Sequence, residues 1–370
     1  MTRTAVIGRG LFGAAAARHL ARAGVDVTLI GPSEPADTAS HRGVFGSHYD
    51  EGRITRKNAA HPFWVEASMA SIARYAEIEA ESGIRFYTET GAMIAGSAAF
   101  MARVDVGRRR FDVPCDRLDD AALASRFPFF RFPEHFSGFH ERTRAGHISP
   151  RRLVAAQTKA AQGHGARIID ATVQGLDESG TAATVTTDSA VQSFDRVLVA
   201  AGGWSDSVLA RAPRLEVYAR TVALFEISDG EAARLATMPS LVYEAPEDPY
   251  LLPPVRYPDG RICVKLGGDP EDVKLDGPGA VGDWFRSGGN AQVRDRLHEM
   301  VRDLMPDLVI ESVSMAACVT SWTHDRLPEI ANLSDRIAVC TGGNGSGAKC
   351  SDELGRRGAA LILEKTGELT

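Results

Sequence analysis

The sequence lacks the cysteine and histidine patterns that mark a disulfide framework or a metal site. Its five cysteines are odd in number and dispersed, and no two of them form a C-x-x-C pair. Its ten histidines include no H-E-x-x-H sequence, so no bound metal is expected. Dispersed cysteines are typical of a reducing compartment, which predicts a cytoplasmic protein.

Positive net charge and long apolar runs are lacking as well. The 370 residues carry a formal net charge of −6, which argues against a surface for nucleic acid or anionic membranes. No apolar run approaches the roughly 20 residues that a membrane helix needs. With 44% hydrophobic residues, the chain is long enough for two globular domains. We therefore expect a small molecule as partner, a monomer or small homo-oligomer, and neither nucleic acid nor membrane.

What the sequence does contain is an early glycine-rich turn. The stretch VIGRGLFGAA at residues 6–15 follows the pattern G-x-G-x-x-G through Gly8, Gly10 and Gly13. An apolar strand precedes it, an alanine-rich helix follows, and VDVTLI is predicted as a second strand, which completes a βαβ unit. In a dinucleotide site Gly8 makes the turn, Gly10 admits the pyrophosphate and Gly13 lets the helix pack on the strand. A plain connecting turn is the alternative interpretation.

The acidic residue that usually holds the ribose hydroxyls at the end of the second strand is missing. Gly31 occupies that place in LIGPSEP, and Ser33 or Glu34 could supply the contact instead. No Arg or Lys stands there to hold a 2′-phosphate, so nothing favours NADP. The glycine turn thus predicts a nucleotide without identifying it.

Strand, glycine-turn and helix patterns occur at the beginning, middle and end of the chain, and β-rich stretches separate them. This alternation predicts an α/β fold with a Rossmann-like nucleotide domain and an inserted β-rich (α+β) substrate domain. We place the nucleotide domain at residues 1–85, 145–215 and 318–370. The substrate domain then comprises residues 86–144 and 216–317.

Three glycine motifs in this order identify a resemblance. The early G-x-G-x-x-G, VLVAAGGWS at residues 197–205 and the late CTGGNGSGAKCSDELG together resemble the FAD-dependent amine and amino-acid oxidases. Within that family the chain is most similar to the branch of monomeric sarcosine oxidase and N-methyltryptophan oxidase, and the likeness covers nearly the whole chain. The resemblance implies FAD as the cofactor and a Rossmann-like FAD-binding domain.

Four further stretches carry roles that the resemblance implies. GSHYDEGRITR contains Arg56, which would bind a substrate carboxylate, and VKLGGD contains Lys265, which would lie over the flavin and activate oxygen. ACVTSWTHDRLPEI contains Cys318, which would be bonded to the flavin 8α carbon, and GGNGSGAK contains Lys349, the second carboxylate ligand. Taken singly, an arginine in a charged turn, a strand lysine and a small buried cysteine are each more often structural.

The expected site is larger than these four residues. Substrate contacts are expected from Arg56, Lys349, His48, Tyr250 and Asp269, with Arg56, Lys265 and Lys349 as the catalytic residues. Asp269 stands where the sarcosine oxidase branch has a histidine, and Gly52 where it has a threonine. The expected cofactor contacts are Gly8, Gly10, Leu11, Phe12, Gly13, Ser33, Ser47, Arg53, Val173, Gly202, Trp204, Cys318, Gly343, Gly345, Gly347 and Lys349.

The resemblance implies an FAD-dependent oxidase of a secondary amine that carries a carboxylate. The substrate would be an N-methyl or N-carboxymethyl amino acid such as sarcosine or iminodiacetate, oxidised to an imine that water hydrolyses while oxygen becomes hydrogen peroxide. Five candidate cations favour a substrate with two carboxylates: Arg42, His48, Arg56, Lys265 and Lys349. A flavin dehydrogenase or tailoring oxidase of a cyclic imino acid is the alternative within enzymes, and a non-catalytic flavin-binding subunit of a hetero-oligomer is the alternative outside them.

Overall fold

The computed structural model describes residues 2–209, 214–268 and 270–366. Within these ranges no helix is both long and apolar enough to cross a membrane. The strands are β1 (Arg3–Ile7), β2 (Asp26–Ile30), β3 (Arg53–Thr55), β4 (Tyr87–Thr88), β5 (Ala92–Gly96), β6 (Asp116–Leu118), β7 (Ser137–Glu141), β8 (Gly146–Ile148), β9 (Arg167–Ile169), β10 (Val173–Ser179), β11 (Ala182–Thr187), β12 (Val191–Phe194), β13 (Arg196–Val199), β14 (Glu216–Ile227), β15 (Ser240–Tyr243), β16 (Tyr250–Arg256), β17 (Ile262–Gly267), β18 (Ser312–Trp322), β19 (Glu329–Asn332) and β20 (Ile337–Thr341). The helices are α1 (Leu11–Arg22), α2 (Pro62–Ala73), α3 (Tyr75–Ser82), α4 (Ala98–Arg110), α5 (Asp120–Arg126), α6 (Pro150–Gly163), α7 (Ser205–Val208), α8 (Asp229–Arg234), α9 (Gly277–Ser287), α10 (Ala291–Leu304) and α11 (Gly347–Thr366).

The first sheet has the strand order β19-β20-β13-β1-β2-β9. All neighbouring pairs are parallel except β19 with β20, and Ile7 at the end of β1 pairs with Ile30 and Val199 on either side. Parallel strands are buried on both faces, which explains why β1 and β2 are nearly continuous apolar runs. Helix α1 packs so closely on the turn after β1 that a Cβ atom on Gly13 would lie 1.8 Å from the Gly8 carbonyl oxygen. The predicted Rossmann-like α/β arrangement is confirmed.

The second large sheet has the strand order β18-β14-β17-β16-β15-β5-β7-β6. Its long antiparallel pair runs from Glu216 opposite Trp322 to Glu226 opposite Ser312. Helix α10 packs on one face through fully buried Leu297 and Val301. The predicted β-rich second layer is therefore present. The division into domains stays a prediction, and its boundary at residue 318 falls inside the continuous strand β18.

The apolar stripe of residues 62–81 predicts one helix, and the structure divides that segment into α2 and α3. Arg74 separates them with φ −99° and ψ −2°. Its guanidinium donates to the carboxylates of Asp352 and Glu353 on α11, at 2.7 Å in the case of Glu353. These long-range ion pairs hold the start of α11 against α2 and α3. No local pattern in the sequence indicates them.

Candidate active site

A cavity of about 500 Å³ is lined from both large sheets. It opens at the carboxyl ends of β1 and β2, where α/β folds bind their ligands. Lys265, Gly13 and Ser33 do not line it, and Asp269 lies outside the described residues. The predicted residues that do line it are Gly8, Gly10, Leu11, Phe12, Ser47, His48, Arg53, Arg56, Val173, Gly202, Trp204, Tyr250, Cys318, Gly343, Gly345, Gly347 and Lys349.

The turn from β1 into α1 leaves space for a ligand beside the backbone. Gly8 has φ +107°, and a Cβ atom there would lie 2.3 Å from the Ala200 carbonyl oxygen. A Cβ on Gly10 would meet only the His48 ring, at 3.9 Å, so the cavity side of Gly10 is open. Helix α1 has no acidic residue in its first turn and no side-chain cap. Its first amide groups thus suit an anion such as a pyrophosphate.

A second helix begins at the cavity, where a Cβ atom on Gly347 would lie 2.9 Å from the ring of Phe12 in the first turn of α1. The loop through Gly343 and Gly345 leads into the 20-residue helix α11, whose first turn also carries no acidic residue. Asn344 anchors the loop by accepting a hydrogen bond from the Thr323 amide at 3.0 Å. The positive end of the helix dipole therefore faces the cavity, where it favours negative charge on a bound group. Together with the open glycine turn, this lining fits an elongated dinucleotide such as FAD.

Lys265 lies beneath the cavity wall with its charge compensated. The side chain is fully buried, and its Nζ donates to the Gly52 carbonyl at 2.8 Å and contacts the Asp50 carboxylate. Burial, reinforced by the nearby charge of Arg53, lowers the pKa of Lys265 well below its usual value. The Asp50 carboxylate in contact with Nζ is the counter-ion for the ammonium form. Tyr250, which does line the cavity, places its ring 5.7 Å from the same Nζ. Sequence reasoning missed Asp50, because its partner is 215 residues away.

Arg53 connects this cluster to Cys318. Its guanidinium pairs with Asp50 and donates to the Ser47 carbonyl at 3.2 Å and to the Cys318 sulfur at 3.1 Å. Cys318 lies opposite Arg220 in the β14–β18 pair, and its backbone carbonyl accepts from the Trp284 indole at 2.8 Å. The sulfur is therefore held at the cavity wall with a cation in contact.

Arg56 and Lys349 are here called the cation pair. Unlike Lys265 and Arg53, they form no ion pair with a carboxylate among the described residues. The Nη1 atom of Arg56 is buried and has no hydrogen-bond partner among the described residues. Burial lowers the pKa of Arg56, and burial together with the nearby Arg56 charge lowers the pKa of Lys349 to about 8. The Lys349 Nζ donates to the Ser346 carbonyl at 3.3 Å. Both cations line the cavity, and an entering anion would relieve the cost of burying them.

Two other lining residues, His48 and Arg220, differ from what the sequence predicts. Burial, reinforced by the charges of Arg151, Arg9 and Arg53, lowers the pKa of His48 to about 3, so His48 is neutral near pH 7. Arg220 was not predicted; it reaches the cavity from β14 and donates to the Asp272 carboxylate at 2.7 Å. Nothing in the local sequence around Arg220 distinguishes it from an ordinary strand arginine.

Comparisons with known proteins agree with this geometry. The profile of the DAO family, described as "FAD dependent oxidoreductase", matches residues 3–361. Monomeric sarcosine oxidase of Bacillus sp. (strain B-0618) is 24% identical, covering 97% of this chain and 91% of the relative. N-methyl-L-tryptophan oxidase of Salmonella typhimurium is 25% identical, covering 98% and 94%. The structure of NikD, described as "an unusual amino acid oxidase essential for nikkomycin biosynthesis", shares the fold with a TM-score of 0.76 at 20% identity, covering 98% and 94%.

The lowered pKa of Lys349 predicts how anion binding depends on pH. Below about pH 8 its amine is charged and attracts a carboxylate; above that value the free site loses the charge. We expect the affinity of the full chain for acetate to fall by roughly tenfold per unit as the pH rises beyond this point. Calorimetric titration on both sides of pH 8 measures this slope. In Lys349→Met the slope should disappear, and an equal slope in that variant would assign the titration to another group.

Proposed function

Because the chain belongs to the family of FAD-dependent oxidoreductases, we propose that it is an oxidase of a secondary amine that carries a carboxylate. An N-methyl or N-carboxymethyl amino acid is oxidised to an imine, water hydrolyses the imine to an amine and an aldehyde or oxo acid, and O₂ is reduced to H₂O₂. The observation that carries this proposal is the cation pair, with its buried and unpartnered Arg56 Nη1. The relatives named for N-methyl amino acid substrates support the same class.

In this proposal the cation pair binds the substrate carboxylate. Arg56 offers a planar guanidinium and Lys349 an ammonium, and both gain a counter-ion inside a site that excludes most water. Fixing the carboxylate restricts where the C–N bond of the substrate can lie, which is the main requirement for oxidation. Bound FAD supplies the acceptor for the two electrons and the hydrogen that leave the substrate. The positive charges of Arg53 and the cation pair disfavour a protonated amine, so the substrate nitrogen is held neutral.

The charges in the cavity support a single carboxylate subsite. Arg42 does not line the cavity and donates instead to the Ala39 and His41 carbonyls. The pKa of His48, lowered to about 3, leaves that ring neutral near pH 7, and Lys265 is paired with Asp50. The cation count that favoured two carboxylates therefore loses three members. A monocarboxylate such as sarcosine fits this charge distribution better than iminodiacetate.

A panel of amines tests the proposal. N-methyl amino acids should release peroxide, and the same amines without the carboxylate should not, because the cation pair then has no counter-ion. Iminodiacetate, proline and pipecolate complete the panel, and anaerobic bleaching of the flavin is recorded beside peroxide. Bleaching without peroxide would identify a dehydrogenase. If no amine bleaches the flavin, the alternative of a non-catalytic flavin-binding subunit of a hetero-oligomer is favoured.

Lys265 carries a prediction about oxygen. A buried cation beside the flavin would stabilise negative charge that develops on O₂, whereas amine oxidation does not need it. Lys265→Met should slow reoxidation by about a hundred- to a thousand-fold and leave anaerobic reduction of the flavin by substrate nearly unchanged. Stopped-flow measurement separates the two half-reactions. Lys274→Met, which removes an exposed lysine paired with Glu216, is the matched control. Equal losses in both half-reactions would assign Lys265 to packing or substrate binding.

We further propose that Cys318 forms the covalent bond to the flavin. Its sulfur lines the cavity in contact with Arg53. Bonding of a Cys318 thiolate to the 8α carbon would replace a C–H bond, with the proton lost to solvent and the two electrons passing to the flavin, which O₂ would reoxidise. Acid precipitation should leave the yellow colour in the wild-type pellet, and Cys318→Ala should release it to the supernatant. Cys115→Ala, which changes another unpaired and partly exposed cysteine, should behave as wild type. A yellow wild-type supernatant would mean that the flavin is held without a bond.

A further inference from the structure

The packing of Gly31 excludes an acidic side chain where a nucleotide-binding α/β fold usually carries its ribose ligand. A Cβ atom on Gly31 would lie 2.5 Å from the Arg9 backbone nitrogen and 2.7 Å from its Cβ. Any side chain there would displace the backbone of the glycine turn itself. The ribose hydroxyls of a dinucleotide therefore need an acceptor from another part of the chain.

Glu34, three residues further on, is not that acceptor. Both of its carboxylate oxygens accept hydrogen bonds from Arg151, at 2.6 and 2.7 Å. The same guanidinium also donates to Glu51 at 2.5 Å. This bidentate pairing fixes Glu34 toward α6 and occupies both of its oxygens.

The neighbouring strand β9 supplies a carboxylate at the right edge. Strands β2 and β9 are parallel with Ile30 opposite Ile169, and the Gly31 amide donates to the Ile169 carbonyl at 3.0 Å. Asp170 follows directly, so it lies beside Gly31 at the carboxyl end of the sheet. The residues on each side of this point, Gly31 and Pro32 on one strand end and 171–173 on the other, line the cavity.

The Asp170 carboxylate is oriented and ionised. It accepts from the Ser33 amide at 3.0 Å and from the Ser33 hydroxyl, and it lies 3.7 Å from Arg9. The hydrogen bond from the Ser33 side chain, above all, lowers the pKa of Asp170. Its side chain is 57% exposed, so both oxygens keep acceptor capacity for a ligand.

We propose that Asp170 replaces the missing acid of β2 and accepts hydrogen bonds from the ribose hydroxyls of the adenosine half of FAD. Ser33 holds the carboxylate in place, and Arg9, which lines the cavity, balances its charge beside the pyrophosphate end of the turn. The inference rests on family membership and on the β2–β9 edge. It is independent of the amine substrate and of the roles of Lys265 and Cys318.

Flavin affinity tests this proposal in the full chain carrying Cys318→Ala, so that the flavin exchanges. FAD, an FAD analogue with a 2′,3′-dideoxyadenosine half, and FMN are titrated by flavin fluorescence. With Asp170 intact, the Cys318→Ala chain should bind FAD roughly ten- to a hundred-fold more tightly than it binds the dideoxy analogue. Asp170→Asn should weaken FAD to the level of the analogue and leave FMN unchanged. Glu34→Gln is the matched control and should keep the preference for FAD.

Two results would overturn the assignment. One is equal affinity of the Cys318→Ala parent for FAD and the dideoxy analogue, a result that does not depend on whether the Asp170 variant folds. The other is an Asp170→Asn protein that retains the full preference for FAD. If that variant loses FAD and FMN alike, Asp170 only supports the loop at Ser33, and the proposal is equally excluded.

Discussion

The burial of Arg56 and Lys349 is the constraint on which the rest of the cavity depends, because Glu141, the carboxylate that acts on both, is itself paired with Lys57. Burying two cations side by side is costly, and the lowered pKa values of both groups record that cost. A protein with no ligand for them would gain stability by replacing either one with an apolar residue. Their presence in a cavity lined by two helix N-termini is the reason we propose an anionic substrate beside the anionic cofactor.

The other basic residues near the cavity do not compete with Arg56 and Lys349 for a bound anion. Asp50 forms ion pairs with both Lys265 and Arg53, and burial keeps His48 neutral. Because Lys265 already has a counter-ion in Asp50, the proposed carboxylate site is left to Arg56 and Lys349.

Local patterns were sufficient to predict the βαβ unit, and the Gly13 contact with the Gly8 carbonyl lies within that unit. Gly8 has φ +107°, which a local turn pattern indicates, but the contact that excludes a Cβ there is with Ala200 on a distant part of the chain. Pairings between distant segments were not predictable. Asp50 meets Lys265 across 215 residues, and Asp170 reaches Ser33 across 137. The division of the helix predicted at residues 62–81 has the same origin, because acids on α11 attract Arg74. The sequence shows which residue types are present at each position. Which distant residue each one contacts depends on the order of the strands in the sheets.

Binding of acetate and of its uncharged isostere acetamide tests the central claim most directly. The two ligands are titrated into the wild-type chain and into the double variant Arg56→Met, Lys349→Met below pH 8, where the Lys349 amine is charged. The account predicts that the wild type prefers acetate by at least about tenfold, as expected for a charge-assisted contact, and that the double variant binds both ligands equally weakly. A double variant that keeps the preference for acetate would place the anion site elsewhere and contradict the account.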